Sequence, residues 1–378
     1  MGKREGSLED LEVTDGFDGV FSGKTVLVTG HTGFKGSWLS LWLKELGAKV
    51  AGYALAPETN PNLYDQLGLS RLMDSRLGDV RDFSLLQKTM QDVRPDIIFH
   101  LAAQPLVRRS YQEPLETFST NVLGTANLIE AARKTTSVRV CQVITTDKCY
   151  ENRETGQAYR EDDRLGGRDP YSASKACAEL VVSSMRASFF QEDGAASVSS
   201  TRAGNVIGGG DWSQDRLVPD CARALAAGQA AQIRNPRSVR PWQFVLEPLC
   251  GYLQLAMRQW QSPKDYAEAW NFGPRPGSAR PVGEVADLFV KAWGSGRWQA
   301  AAQDGQAPHE AGQLQLDSAK AAKRLGWRPV YTLEEGLEQT ARWYRESGKP
   351  GFSALEFTRR QIQDYMKASH AAEFSTQS

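Results

Sequence analysis

Apolar positions in this chain follow two periods that take turns along its first 200 residues. Val26-Leu27-Val28-Thr29 is a continuous β-rich run that stops at a glycine. Trp38, Leu39, Trp42, Leu43 and Leu46 then recur at helical spacing, so the pattern predicts a strand, a tight turn and a helix. The alternation continues. Lys49 to Tyr53, Asp96 to Leu101, Val138 to Thr146 and Ser197 to Arg202 read as strands, and Thr120 to Lys134 and Tyr171 to Phe190 as helices. Strands that alternate with helices in this way predict an α/β fold: a doubly wound parallel sheet with helices on both faces. After Ala203 the texture changes. Glycines cluster at Gly204 and Gly208 to Gly210, arginines replace lysines, and the segments become shorter. A smaller, discontinuous second domain is predicted there. The expected boundaries are a flexible acid-rich extension at 1–20, a dinucleotide-binding domain at 21–200 plus about 241–268, a smaller domain at 201–240 and 269–350, and a polar tail at 367–378.

Composition narrows the partners. The chain has 378 residues, 40% hydrophobic and 24% charged, with 45 basic and 45 acidic side chains. A net charge of zero offers no footprint for nucleic acid or for a membrane surface. No apolar stretch is long enough for a bilayer, and Met1-Gly2-Lys3-Arg4-Glu5 leads into acidic residues rather than a signal core. Five scattered cysteines without a Cys-x-x-Cys spacing read as reduced thiols, so a cytoplasmic protein is expected. The four histidines have no metal-ligand spacing, and no metal is expected.

Three segments carry chemistry. In the first, Gly30, Gly33 and Gly36 stand three apart between the first strand and the first helix. Such glycines permit the turn, the close approach of a pyrophosphate and tight helix-on-strand packing, while the helix N-terminus binds phosphate. In the second, the strand at Cys141 runs straight into Thr146, Asp147 and Lys148, and carboxyl ends of parallel strands are where ligands sit. In the third, Tyr171 and Lys175 lie one helical turn apart on one face. An ammonium beside a phenol favours the phenolate, a base able to take a hydroxyl proton as a hydride leaves the same carbon. Each segment has a plainer reading: a ligand-free turn, a strand-end cap, a solvated helix face. Their conjunction favours chemistry.

Together these segments resemble the extended short-chain dehydrogenase/reductase family that acts on nucleotide sugars, over residues 22 to 346. The shared residues include Thr29-Gly30-x-x-Gly33-x-x-Gly36, Asp79-Val80, His100-Leu101-Ala102-Ala103-Gln104, Asn121-Val122-x-Gly124-Thr125 and Tyr171-x-x-x-Lys175, with Leu325-Gly326-Trp327-x-Pro329 near the end. The segments 29–38 and 145–150 are similar to the branch that acts on CDP-glucose. The resemblance implies a Rossmann sheet, NAD as cofactor, a nucleotide-sugar substrate and a homodimer or homotetramer. It implies that Gly30, Gly33, Phe34, Gly36, Asp79, Val80, Leu101, Ala102, Ala103, Tyr171 and Lys175 hold the cofactor. Gln104, Thr146, Asn205, Arg216, Arg234 and Arg240 would meet the substrate, the guanidinium groups being shaped for a diphosphate. The implied reaction oxidises C4, removes water across C5 and C6, and returns the hydride to C6, with Thr146, Asp147, Lys148, Tyr171 and Lys175 as its catalytic residues. The chain departs from expectation at the end of its second strand, Ala51-Gly52-Tyr53-Ala54-Leu55-Ala56-Pro57, where no acid stands until Glu58, and no Lys or Arg lies between residues 50 and 70. It also places Asp147-Lys148 where related dehydratases carry Asp-Glu, which leaves open which of the two removes the C5 proton. A 4-epimerase, or a non-catalytic NAD-binding protein on the same fold, is the alternative reading.

Overall fold

A computed structural model describes residues 13–153, 156–275, 278–301 and 314–375. Seven parallel strands form the central sheet: β1 (Thr25–Thr29), β2 (Lys49–Ala54), β3 (Asp74–Leu77), β4 (Ile97–His100), β5 (Val140–Ile144), β6 (Ser197–Ala203) and β10 (Ala269–Phe272). Their order is β10-β6-β5-β4-β1-β2-β3. The chain therefore starts in the middle, winds outward on one side, then returns and winds outward on the other. The reversal at β1/β4 opens a crevice at the strands' carboxyl ends. In register, Val26 faces both Val50 and Ile97, and Ile98 faces Cys141. β1, β4 and β5 are buried along nearly their whole length, which is why they read as apolar runs.

The fold class is as predicted, with four differences. β3 was not predicted: Asp74-Ser75-Arg76-Leu77 is an edge strand, half-exposed and without apolar periodicity. β10 pairs with β6, so the boundary expected at 269 falls inside the large sheet. Conversely, β9 (Val239–Phe244) lies in a small sheet between β7 (Asn205–Ile207) and β11 (Ala279–Pro281), so the expected boundary at 241 cuts through it. β8 (Ala231–Ile233) and β12 (Trp298–Ala300) make a third, two-stranded sheet. The expected N-terminal extension is anchored where it is described. Phe17 lies edge-on to Phe21 and Trp42, with ring centroids 5.9 Å from each; residues 1–12 lie outside the described residues. Residues 367–375 of the expected polar tail continue the helix Ala354–Ser375, whose Tyr365 and Met366 are buried against the core; residues 376–378 lie outside the described residues.

Arg109, far away in sequence, reaches Glu58 just beyond β2 at 2.9 Å, and Arg81 grips Asp79 through its Nε at 2.8 Å.

Candidate active site

The carboxyl end of β5 places the first catalytic candidates. Thr146 leaves the strand extended, and its hydroxyl caps the following turn by accepting from the Lys148 N–H at 3.3 Å. The same oxygen donates to Asp147 Oδ1 at 3.0 Å. The Asp147 carboxyl is buried, and the backbone at the β6–β7 junction presses on it: a Cβ on Gly204 would lie 3.0 Å from Oδ2. Burial raises the Asp147 pKa, against the opposing pull of Lys148, Thr146 and Arg240.

The second half comes from the Pro170–Phe189 helix. Asp169 caps it, accepting from the Ser172 N–H at 2.9 Å, and Pro170 starts it. Tyr171 therefore sits in the first turn and Lys175 one turn on, both buried. The Lys148 ammonium lies 6.0 Å from the Tyr171 ring centroid. Lys175 Nζ donates to the Ile144 carbonyl at 3.2 Å. Burial pushes the phenol of Tyr171 up to about 12, with the Thr146 hydroxyl bond lowering it and Asp147 raising it further. Burial also takes Lys175 down to about 8. The sign is opposite to the sequence expectation of a phenol eased toward phenolate by its lysine. Desolvation is the largest influence on each group, and neither is among the charges that shift the other.

Facing this pair across the crevice is the glycine-rich turn. Gly30 has φ 74°, and a Cβ there would lie 2.7 Å from the Ala102 nitrogen; one on Gly36 would lie 2.1 Å from the Gly30 carbonyl oxygen. No larger residue fits either place, and the Phe34–Glu45 helix points its free N–H groups at the opening. A continuous cleft of about 900 Å³ joins both halves. Of the sequence candidates, Gly30, Gly33, Phe34, Gly36, Asp79, Val80, Leu101, Ala102, Ala103, Thr146, Asp147, Lys148, Tyr171, Lys175, Asn205, Arg216, Arg234 and Arg240 all line it. Gln104 does not. Its amide donates to Thr117 at 2.9 Å and to the Leu106 carbonyl at 3.1 Å, and its oxygen accepts from the Leu106 N–H, so it braces the wall from behind. The arginines differ among themselves. Arg216 lies 3.2 Å from Asp211, Arg234 pairs with Asp215, and Arg240 is buried with Nη1 on the Val239 carbonyl at 3.0 Å.

Residues 27–340 match the family model described as GDP-mannose 4,6 dehydratase. The chain belongs to that family. The CDP-glucose 4,6-dehydratase of Salmonella typhimurium is 49% identical over 92% of this chain and 98% of its own length. A dTDP-glucose 4,6-dehydratase of Xanthomonas campestris is 28% identical over 85% of this chain and 93% of its own. The solved structure of DesIV, a dTDP-glucose 4,6-dehydratase from Streptomyces venezuelae with NAD and TYD bound, superposes with a TM-score of 0.69 at 26% identity, over 85% of this chain and 97% of that one.

Within this GDP-mannose 4,6 dehydratase family chain, sequence reasoning passed over a buried network directly behind the site. Glu179 accepts from Ser200 Oγ and the Arg202 guanidinium, each at 2.7 Å, and from the Thr145 hydroxyl at 2.5 Å. Arg202 also reaches the Tyr150 hydroxyl at 2.6 Å. The network fixes the ends of β5 and β6, and hence Thr146 and Asp147. A signal was available: Glu179 follows Lys175 by one turn on the same helix face. Lys35 was also passed over, inside the glycine-rich turn itself, where it lines the cleft.

Proposed function

We propose that this protein converts CDP-glucose to CDP-4-keto-6-deoxyglucose with NAD regenerated in each cycle. The observation that carries the reading is the Thr146-Asp147-Lys148 segment brought face to face with Tyr171 in a cleft shared with the glycine-rich turn. A 4-epimerase needs the tyrosine and lysine but no acid–base pair for losing water. The relation to the Salmonella CDP-glucose enzyme supports the choice of base.

The residues present fit NAD. The cradle formed by Gly30 and Gly36 admits only glycine, and the helix start beside it is suited to a pyrophosphate. The cations nearest the end of β2 and β3 are engaged by carboxylates, Arg81 by Asp79 and Arg109 by Glu58, Glu113 and Glu116. They are poorly placed to meet a 2′-phosphate, which favours NAD over NADP. When bound, NAD takes the C4 hydride and later gives it to C6. Tyr171 removes the O4 proton, and the Thr146 hydroxyl stabilises the charge that develops on O4. Asp147 and Lys148 share one mobile proton. Burial raises the proton affinity of the Asp147 carboxyl; one member of the pair protonates the departing O6 hydroxyl while the other takes the proton from C5. Arg216, Arg234, Arg240 and Asn205 bind the diphosphate.

The test is to offer CDP-glucose, dTDP-glucose and UDP-glucose separately and identify products by mass and NMR. CDP-[4-²H]glucose should give product labelled at C6 with no net NADH. CDP-galactose as product, or washout of the label, overturns the reading.

No helix among the described residues is long and apolar enough to cross a membrane. Cys141, Cys149, Cys177 and Cys221 are free thiols, in keeping with work in the cytoplasm. We also propose self-association through the face formed by the Val107–Gln112, Pro114–Phe118, Ser119–Leu123 and Pro170–Phe189 helices, where Leu115, Leu180 and Leu123 are 84%, 58% and 52% exposed. Sedimentation of Leu115→Glu against the wild type tests this.

A further inference from the structure

Asp215 lines the cleft from the connection between β7 and the Leu217–Ala226 helix. The root of that connection is fixed. Trp212 donates its indole N–H to Gln66 at 2.9 Å, and Arg223 holds the Trp212 and Ser213 carbonyls at 3.0 and 3.2 Å. The tip is held differently. Asp215 has φ 61°, a left-handed backbone that costs least, among residues with a side chain, for Asp and Asn. Two guanidinium groups converge on its Oδ1. Arg234, just past β8, is hydrogen-bonded to it. Arg108, on the Val107–Gln112 helix that follows β4 of the large sheet, brings its Nη1 to 3.7 Å. That is within ion-pair reach and too far for a hydrogen bond. Arg108 Nε is buried and finds no acceptor among the described residues. The contact across the cleft is therefore half made. Half-exposed ion pairs usually contribute little. This one differs because Arg234 is also assigned to the diphosphate.

We propose that Asp215 is a resident counter-ion, displaced from Arg234 by the substrate's diphosphate, and that the freed carboxylate then closes on Arg108 to shut the cleft over the ligand. The inference rests on the diphosphate site proposed above. A diphosphate carries more charge than one carboxylate and can take a guanidinium through two oxygens, so it wins Arg234. Asp215 does not follow, because two anions would then share one cation. The other arginines of its segment are engaged: Arg216 lies 3.2 Å from Asp211, and Arg223 pairs with Asp220. Arg108 is the cation left to it, and it comes from the opposite wall. A movement of about 1 Å turns the present separation into a hydrogen bond, which the tip of a loop with a fixed root can make. Substrate entry thus exchanges a pair on one wall of the cleft for a pair across it. A neutral nucleoside cannot trigger the exchange, so closure is reserved for ligands that carry phosphate.

The test is a double-mutant cycle on the affinity of the full chain for CDP, read by calorimetry. Such a cycle reports how far the interaction between Arg108 and Asp215 differs between bound and free protein. Asparagine keeps the left-handed backbone and removes the charge. Arg108→Met should weaken CDP by about threefold, the scale of a half-exposed pair. In that background no pair can form across the cleft, so Asp215→Asn should tighten CDP by about threefold by releasing Arg234. In the wild-type background the same change also loses the closing pair, and the affinity should stay within about 1.5-fold. Equal effects of Asp215→Asn in both backgrounds, in either direction, mean that no exchange takes place and overturn the inference. An Arg234→Met variant with wild-type affinity for CDP takes Arg234 out of the diphosphate site and overturns it as well. Wild-type protein that binds UDP or dTDP but not CDP refutes the choice of base instead, and the cycle run on that nucleotide decides the exchange by the same outcomes.

Discussion

In the empty cleft Tyr171 should be a protonated phenol at neutral pH, and ligands must convert it into a base. Its pKa is pushed up to about 12 by burial. Holding it as phenolate at pH 7 therefore costs about 7 kcal/mol, at ~1.4 kcal/mol per unit. A unit positive charge about 4 Å away supplies roughly 4 kcal/mol at the effective dielectric of a protein site. One such charge is too little, and two suffice. Lys175, whose amine now rests on the Ile144 carbonyl, is one candidate, and the charge of oxidised nicotinamide is the other. The assay is an ultraviolet difference titration that follows tyrosinate in the wild type minus Tyr171→Phe. Without cofactor the difference should be flat below about pH 10, in line with the direction of the shift. With NAD⁺, one tyrosinate should appear near neutrality, and Lys175→Met should abolish it. Tyr171→Phe should lower turnover by about two to four orders of magnitude. A tyrosinate at pH 7 to 8 in the cofactor-free protein, or near-normal turnover by Tyr171→Phe, would refute the reasoning.

Three further substitutions probe the surroundings. Lys148→Met leaves C4 oxidation possible but removes the mobile proton of the pair. Enzyme-bound NADH should accumulate in a single turnover; loss of deuterium exchange at C5 assigns the base to Lys148, persistent exchange assigns it to Asp147, and wild-type turnover would remove Lys148 from the mechanism. Arg240→Ala should raise KM far more than it lowers kcat, because a diphosphate contact is uniform binding, and an unchanged KM would remove Arg240 from the substrate site. Glu179→Gln breaks a buried ion pair of 2.7 Å whose members are 4% and 2% exposed. It should cost about 3–5 kcal/mol in urea denaturation, whereas a loss below about 1 kcal/mol would mean that Arg202 is satisfied by Tyr150 and the Glu161 carbonyl alone.

The sequence by itself determined the parallel sheet and the chemistry at its carboxyl ends. β1, β4 and β5 are buried on both faces, so burial wrote itself into continuous apolar runs that need no knowledge of neighbours. The glycine turn and the Tyr171/Lys175 spacing are equally local, set by backbone clash and by one helical turn. Tertiary structure decided what depends on residues far apart in the chain. β3 is a strand because β2 offers it an edge, and its own side chains, half in water, carry no period. Gln104 sits beside the motif residues in sequence but faces Thr117 and Leu106 rather than the cleft. Whether Tyr171 gains or loses acidity turns on how much water the fold removes from it, and Lys35 acquires its setting from Tyr252, Lys175 and Arg216, which lie 217, 140 and 181 residues away. Periodicity records the burial that a segment needs; the dielectric and the charges around a single atom are assembled only when distant segments pack.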